Sequence, residues 1–161
     1  MARKIYLLTF PTRASKINGT RAHWGLFIPT STPQDSEKGK LIQVVGTPFT
    51  GFGLEFRRNY DLTILIEKYQ LHLLGEMEDR HVEDVIGDGR PGIDITPHDD
   101  VEKEAKRLDP PGVSKEPLNP AVTRCCQEWT RDLVDRLIVR KILPKEASLV
   151  LDEAKALEIG A

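Results

Sequence analysis

The chain has 161 residues, with 23 Lys and Arg set against 25 Asp and Glu, 39% hydrophobic residues and 30% charged ones. These are ordinary globular values for a single domain over residues 1–161, and a net charge of -2 offers no broad positive field for a phosphate backbone, which argues against nucleic acid as a partner. No apolar run approaches the roughly 18 residues that span a bilayer, and two adjacent cysteines cannot staple distant loops, so a reducing, cytoplasmic setting with free thiols is expected.

The opening "MARKIYLLTFPT" has a short apolar run broken by Thr9 and Pro11, so it reads as a strand, "KIYLLTF", and not as a signal peptide. The polar stretch "RASKINGTR", with Asn18-Gly19 as its turn signal, leads into a second strand, "AHWGLFIP", that closes at Pro29. After the solvated loop "TSTPQDSEKGK" come two more strands, "KLIQVVGT" and "GLEFRRNY". The "GTPFTGFG" between them lacks the Lys-Ser/Thr ending of a phosphate-binding loop and reads as a tight turn. "LTILIEKYQLHLLGEM" alternates as one long strand, with a helix as the competing reading, and the acidic, glycine-containing stretch from Glu76 to Ile95 reads as a surface loop able to cover a cleft.

The helical half begins with Thr96 as predicted N-cap and Pro97 at the first helical position. "PPGVSKEPLNP" breaks that helix and leads to "AVTRCCQEWTRDLVDRLIV", a helix predicted to run to about Lys141. Pro144 starts the last helix, whose Ala147, Val150, Leu151, Ala154 and Leu157 form one stripe. The predicted class is α+β: an antiparallel sheet from the N-terminal half packed against helices from the C-terminal half.

The two cysteines differ in their expected environments. Val122, Cys126, Trp129, Leu133 and Leu137 share one apolar stripe, whereas Cys125 lines up with Glu128, Asp132 and Arg136 on a polar face that belongs in water. An N-cap at Thr123, the preferred reading, makes Cys126 the third helical residue, where unpaired N–H groups and the helix dipole favour its thiolate. A cap at Asn119 would place it nearly two turns in and remove that effect. Beside both stands the plainer role of Cys126 as a small buried hydrophobe.

A reactive thiol needs a base. His81 and His98, in "EDRHVED" and "TPHDD", read as surface residues, and His72 as a solvated strand position. His23 instead opens an apolar strand and shares a face with Gly25 and Phe27, while Gln43 on the next strand offers an amide that can hold an imidazole in one tautomer. Arg57 and Arg58 point to opposite faces of their strand; they could meet an anionic substrate, with at least one a solvated edge charge. Neither "GDGRPGID" nor the "HDD" and "HVED" clusters has metal-ligand spacing, so no metal and no cofactor are expected.

Together, "RAHWGLFIP", "KLIQVVGTP" and "RCCQEW" resemble the circularly permuted branch of the papain-like thiol hydrolase and acyltransferase superfamily, which includes lecithin:retinol acyltransferase-like and permuted cell-wall peptidase-like families. In that branch a histidine begins one strand, a polar residue, often histidine, lies on the next, and the nucleophilic cysteine follows at a helix start, commonly after asparagine. Over most of its length the chain is also similar to small uncharacterised fungal proteins with a "GTPFTGFGLEFRRNYD"-like segment. The resemblance implies Cys126 as nucleophile, His23 as base and Gln43 as the third polar residue, with Cys125 standing where asparagine is usual and Gln43 where histidine would orient the base more strongly. The expected activity is hydrolysis or acyl transfer at an amide, ester or thioester carbonyl of a small molecule or peptide. The alternatives are a catalytically inactive binding module of the same fold and a non-hydrolytic tailoring enzyme in small-molecule biosynthesis.

Overall fold

The computed structural model of the protein describes residues 2–11, 21–31 and 37–159. Six strands, β1 (Ala2–Phe10), β2 (His23–Pro29), β3 (Lys38–Thr47), β4 (Gly51–Asp61), β5 (Gln70–Glu78) and β6 (Gly92–Asp94), form one sheet in the order β5-β1-β2-β3-β4-β6. Every pairing is antiparallel. Three helices follow, α1 (Asp100–Arg107), α2 (Cys126–Val139) and α3 (Ala147–Ile159), so the α+β class and the order of strands before helices are as expected. The turn predicted at Asn18-Gly19 lies outside the described residues.

Alternation along the strands sorts the sheet into two faces. Ile5 and Leu7, Trp24, Leu26 and Ile28, Ile42 and Val44, and Phe56 point to the helices and meet Val101, Trp129, Leu133, Leu137 and Leu151 in the main core. The intervening residues Leu8, Phe10, Phe27 and Leu41 form a second apolar cluster with Leu62 on the opposite face. Because both faces are covered, β1 and β2 read as near-continuous apolar runs, and each fully buried Leu, Ile or Phe contributes about 1.5–3 kcal/mol.

Several boundaries differ from the sequence reading, each for a local reason. Asp61 accepts the Thr63 N–H and caps a 3-10 turn over Leu62–Ile64, so the predicted long strand is confined to Gln70–Glu78. The stretch from Glu76 to Ile95 is not all loop: β5 runs on to Glu78, and β6 adds an edge strand to β4. The first helix is capped by Asp99, not Thr96, because Asp99 Oδ1 accepts the Glu102 N–H at 2.8 Å. Helix α2 stops at Val139, short of Lys141, since Lys141 takes a left-handed φ of 60° while Ile142 N–H donates back to Leu137 O. In α3, which starts three residues after Pro144, Ala147, Leu151 and Ala154 are buried as predicted but Leu157 is exposed.

Of the two arginines expected on opposite faces of β4, Arg57 is partly exposed and Arg58 is buried, as is Lys40. Both converge on Glu102: Lys40 Nζ lies 2.5 Å and Arg58 Nη1 2.6 Å from its Oε2. Asp99 binds Lys40 at 2.7 Å, and Asp94 binds Arg58 at 2.9 Å. This network fastens α1 to β3 and β4. Burial alone would raise the Glu102 carboxyl, but the bonds and charges of Arg58 and Lys40 outweigh it and hold the group below the usual range. A depressed folded pKa stabilises the protein above the unfolded value and loses that contribution as pH falls through the folded one. Glu102→Gln leaves two buried cations without their shared carboxylate, so urea unfolding at pH 7 should show a loss of about 3–5 kcal/mol, and the substituted protein should lack part of the acid dependence below about pH 4.5.

Candidate active site

The β2–β3 ladder runs from Pro29↔Gly39 to Leu26↔Ile42 and includes no pair for His23, Trp24 or Gly25. The first turn of α2 binds this open end. The Trp24 backbone N–H donates to the Cys126 thiol, Gln127 Nε2 donates to Ala22 O at 2.9 Å, and Arg21 Nη1 lies 2.6 Å from Glu128 Oε1. Glu128 also accepts the Cys125 N–H at 3.0 Å, and Arg21 Nη2 reaches Thr123 O. Gln127 and Glu128, the polar pair of "CCQEW", thus dock the helix onto Ala22 and Arg21, just before His23, a role the sequence reading did not assign.

His23 points to the sheet face opposite the helices, with Gly25 and Phe27 as predicted, and stacks on Phe10 at 6.0 Å between ring centroids. Its Nε2 lies 2.7 Å from Gln43 Oε1. Gln43, 2% exposed, lies beside Gly25, which pairs with Leu8 of β1 but not with β3. Glycine is required there, because a Cβ at position 25 would stand 2.9 Å from Leu41 Cδ1 and 3.3 Å from Gln43 Cβ. The structure therefore brings His23 and Gln43 together as the sequence suggests, and sets Cys126 against the residue next to His23.

The thiols depart from expectation. Cys125, predicted to face water, is 0% exposed. Cys125, not Thr123 or Asn119, is the N-cap, with φ -139° and ψ -162°, and an extended residue does not follow the helical periodicity that put its side chain outside. Cys126 is the first helical residue, 3% exposed, with Trp129, Leu133 and Leu137 on the predicted stripe; Val122 lies before the helix and is exposed. The Cys126 thiol is held well above its ordinary range by its hydrogen bond to Cys125 and by burial, against which the Trp24 N–H acts. Cys125 is lowered, first by that same bond from Cys126 and then by the Gln127 N–H, despite its burial and nearby Glu128.

Of the other histidines, His81 is buried, with Nδ1 2.7 Å from Asp100 Oδ2, where a surface position was expected; His98 is partly exposed, 3.4 Å from Glu83. The His72 pKa is lowered by burial, partly offset by Glu153. No group of three or more metal-ligating side chains occurs among the described residues, and none of their helices is long and apolar enough to cross a membrane. A cavity of about 410 Å³, lined by Tyr6, Phe27, Leu62 and Tyr69, opens on the sheet face that carries His23, and a more polar one of about 500 Å³ lies between Arg3, Asp84 and Asp99. Neither is lined by Cys125, Cys126, His23 or Gln43.

An α+β chain with an imidazole, an amide and two buried thiols at one sheet end is the class of molecule these features define. The chain belongs to a family of unknown function, DUF6540, whose model matches residues 5–144. The match takes in His23, Gln43, Cys125 and Cys126 and ends before α3. No curated protein and no solved structure matches the chain significantly.

The pairing of the thiols gives a direct test. Cys125→Asn removes the competing thiol and offers an amide N–H that can donate to a Cys126 thiolate, so the pH midpoint of iodoacetamide alkylation at Cys126, read by peptide mass spectrometry, should fall by about 1 unit or more. An unchanged midpoint would show that burial alone sets it.

Proposed function

We propose that the chain is a cysteine-dependent hydrolase or acyltransferase with a permuted papain-like arrangement, acting through Cys126 and His23 on an amide, ester or thioester carbonyl. The observation that carries this reading is the hydrogen bond between His23 Nε2 and Gln43 Oε1, with Trp24, the residue after His23, binding the thiol at the first position of α2. The order of elements supports it too: a histidine strand, a polar residue on the neighbouring strand, then a cysteine at a helix start packed over both.

In this chemistry His23 takes the Cys126 proton as the sulfur attacks the carbonyl carbon, forming the C–S bond and moving the π pair onto oxygen. Backbone N–H groups at the start of α2 stabilise that oxyanion. Collapse of the intermediate expels the amine, alcohol or thiol, protonated by His23, and leaves a thioester. Water then completes hydrolysis, or an amine or alcohol completes transfer. Gln43 orients the base and stabilises the imidazolium less than a carboxylate would.

The burial of both sulfurs favours a second reading, a catalytically inactive binding module in which Cys126 serves only as packing. Incubation with p-nitrophenyl esters of graded chain length, followed by intact-mass measurement, separates the two. The enzyme reading expects an acyl adduct mapped to Cys126, absent in Cys126→Ala and formed about 10²–10⁴-fold more slowly in His23→Ala. Ester binding without any adduct, or an adduct indifferent to both substitutions, would leave the binding module.

A further inference from the structure

We propose that Glu55 is a positioning residue for the base: through Gln43 it fixes His23 as the tautomer with hydrogen on Nε2. The inference rests on the proposed function for its catalytic meaning, and on geometry for the tautomer itself. In the β3–β4 ladder Gln43 and Glu55 are directly paired, and Leu41 pairs with Arg57, so all four side chains share the face that carries His23. Gln43 Nε2 donates to Glu55 Oε1 at 2.7 Å, and Arg57 Nε donates to the same oxygen at 2.7 Å.

An amide can be turned either way in a hydrogen-bond pattern, and its neighbours decide. A carboxylate only accepts. Glu55 accepts from Arg57 Nε, so the side of Gln43 that faces the same carboxylate oxygen must be the NH2 group. The side that faces His23 must then be the carbonyl oxygen, which also only accepts. His23 Nε2 therefore carries hydrogen, and in the neutral ring Nδ1 is the nitrogen with the lone pair. Turning the amide over would set Gln43 Oε1 against Glu55 Oε1, two acceptors at hydrogen-bond distance with no proton between them. Glutamine at position 43 alone cannot make this choice; the acceptor-only group behind it does.

Long-range 1H–15N correlation spectra of the histidine rings, recorded where His23 is neutral, read the tautomer directly. The wild-type protein should show His23 with hydrogen on Nε2. Glu55→Gln presents both a donor and an acceptor to Gln43 and should release the amide, giving a mixture of the two tautomers. Arg57→Gln breaks the ion pair but keeps the carboxylate, and should leave the wild-type pattern. With an ester probe, Glu55→Gln should lower kcat about 10-fold or more at little-changed KM, an effect that mere loosening of the β3–β4 pair would not confine to kcat. Hydrogen on Nδ1 in the wild type, or an unaltered ring pattern in Glu55→Gln, would overturn the assignment, and the first of these needs no substituted protein to fold. A wild type that forms no acyl adduct would instead overturn the enzyme reading, while the ring spectra still decide the tautomer.

Discussion

The docking of the first turn of α2 onto the open end of β2 is the constraint from which the rest of the site follows. The start of β2 pairs with β1 but not with β3, and on that second side its N–H and C=O groups cannot be buried unmet. Here they are met by side chains rather than by another strand: Trp24 N–H by the Cys126 sulfur and Ala22 O by Gln127. The same turn is held from outside by Arg21 on Glu128. With its start fixed at three points over four residues of β2 and its approach, the helix has little freedom left, and Trp129, Leu133 and Leu137 fall onto Trp24 and Leu26 in the main core.

This arrangement brings residues from opposite sheet faces to one rim of the sheet. His23 and Gln43 face away from the helices, and Cys126 belongs to the helix side. In the middle of a sheet such groups would be separated by a backbone layer. His23, however, is the first residue of β2, at the rim where the ladder to β3 has ended, and the start of α2 lies at that rim too. Gly25 completes the design by letting Leu41 and Gln43 close over the strand from the side of the imidazole.

Much of this was legible in the sequence because it rests on period. The first four strands, the α+β order, the burial of Cys126 and the shared face of His23, Gly25 and Phe27 follow from alternation or from the helical stripe. What was not legible rests on single hydrogen bonds. Asp99 takes the cap from Thr96 because it faces both the Glu102 N–H and Lys40, and Lys40 comes from a strand about 60 residues earlier. Cys125 was assigned to water on a helical wheel to which an N-cap does not belong. Glu55 lies two residues from Arg57 in a charged strand segment, and only the β3–β4 register, set by the turn at Pro48–Thr50, reveals that it stands opposite Gln43.

The two thiols and the amide relay bear on one another. Where a cysteine and a histidine rest as thiolate and imidazolium, both ring nitrogens carry hydrogen and the tautomer of the neutral ring has no bearing on the resting pair. Here the Cys126 thiol is instead pushed well up by its hydrogen bond to Cys125 and by burial. On the proposed chemistry, attack must then begin from a neutral thiol and a neutral imidazole, with the proton moving as the C–S bond forms. Only a ring nitrogen with a free lone pair can take that proton, and in the proposed relay that nitrogen is Nδ1. On that reading, a reaction that starts from two neutral partners depends on a fixed tautomer, and an acceptor-only residue behind Gln43 provides one.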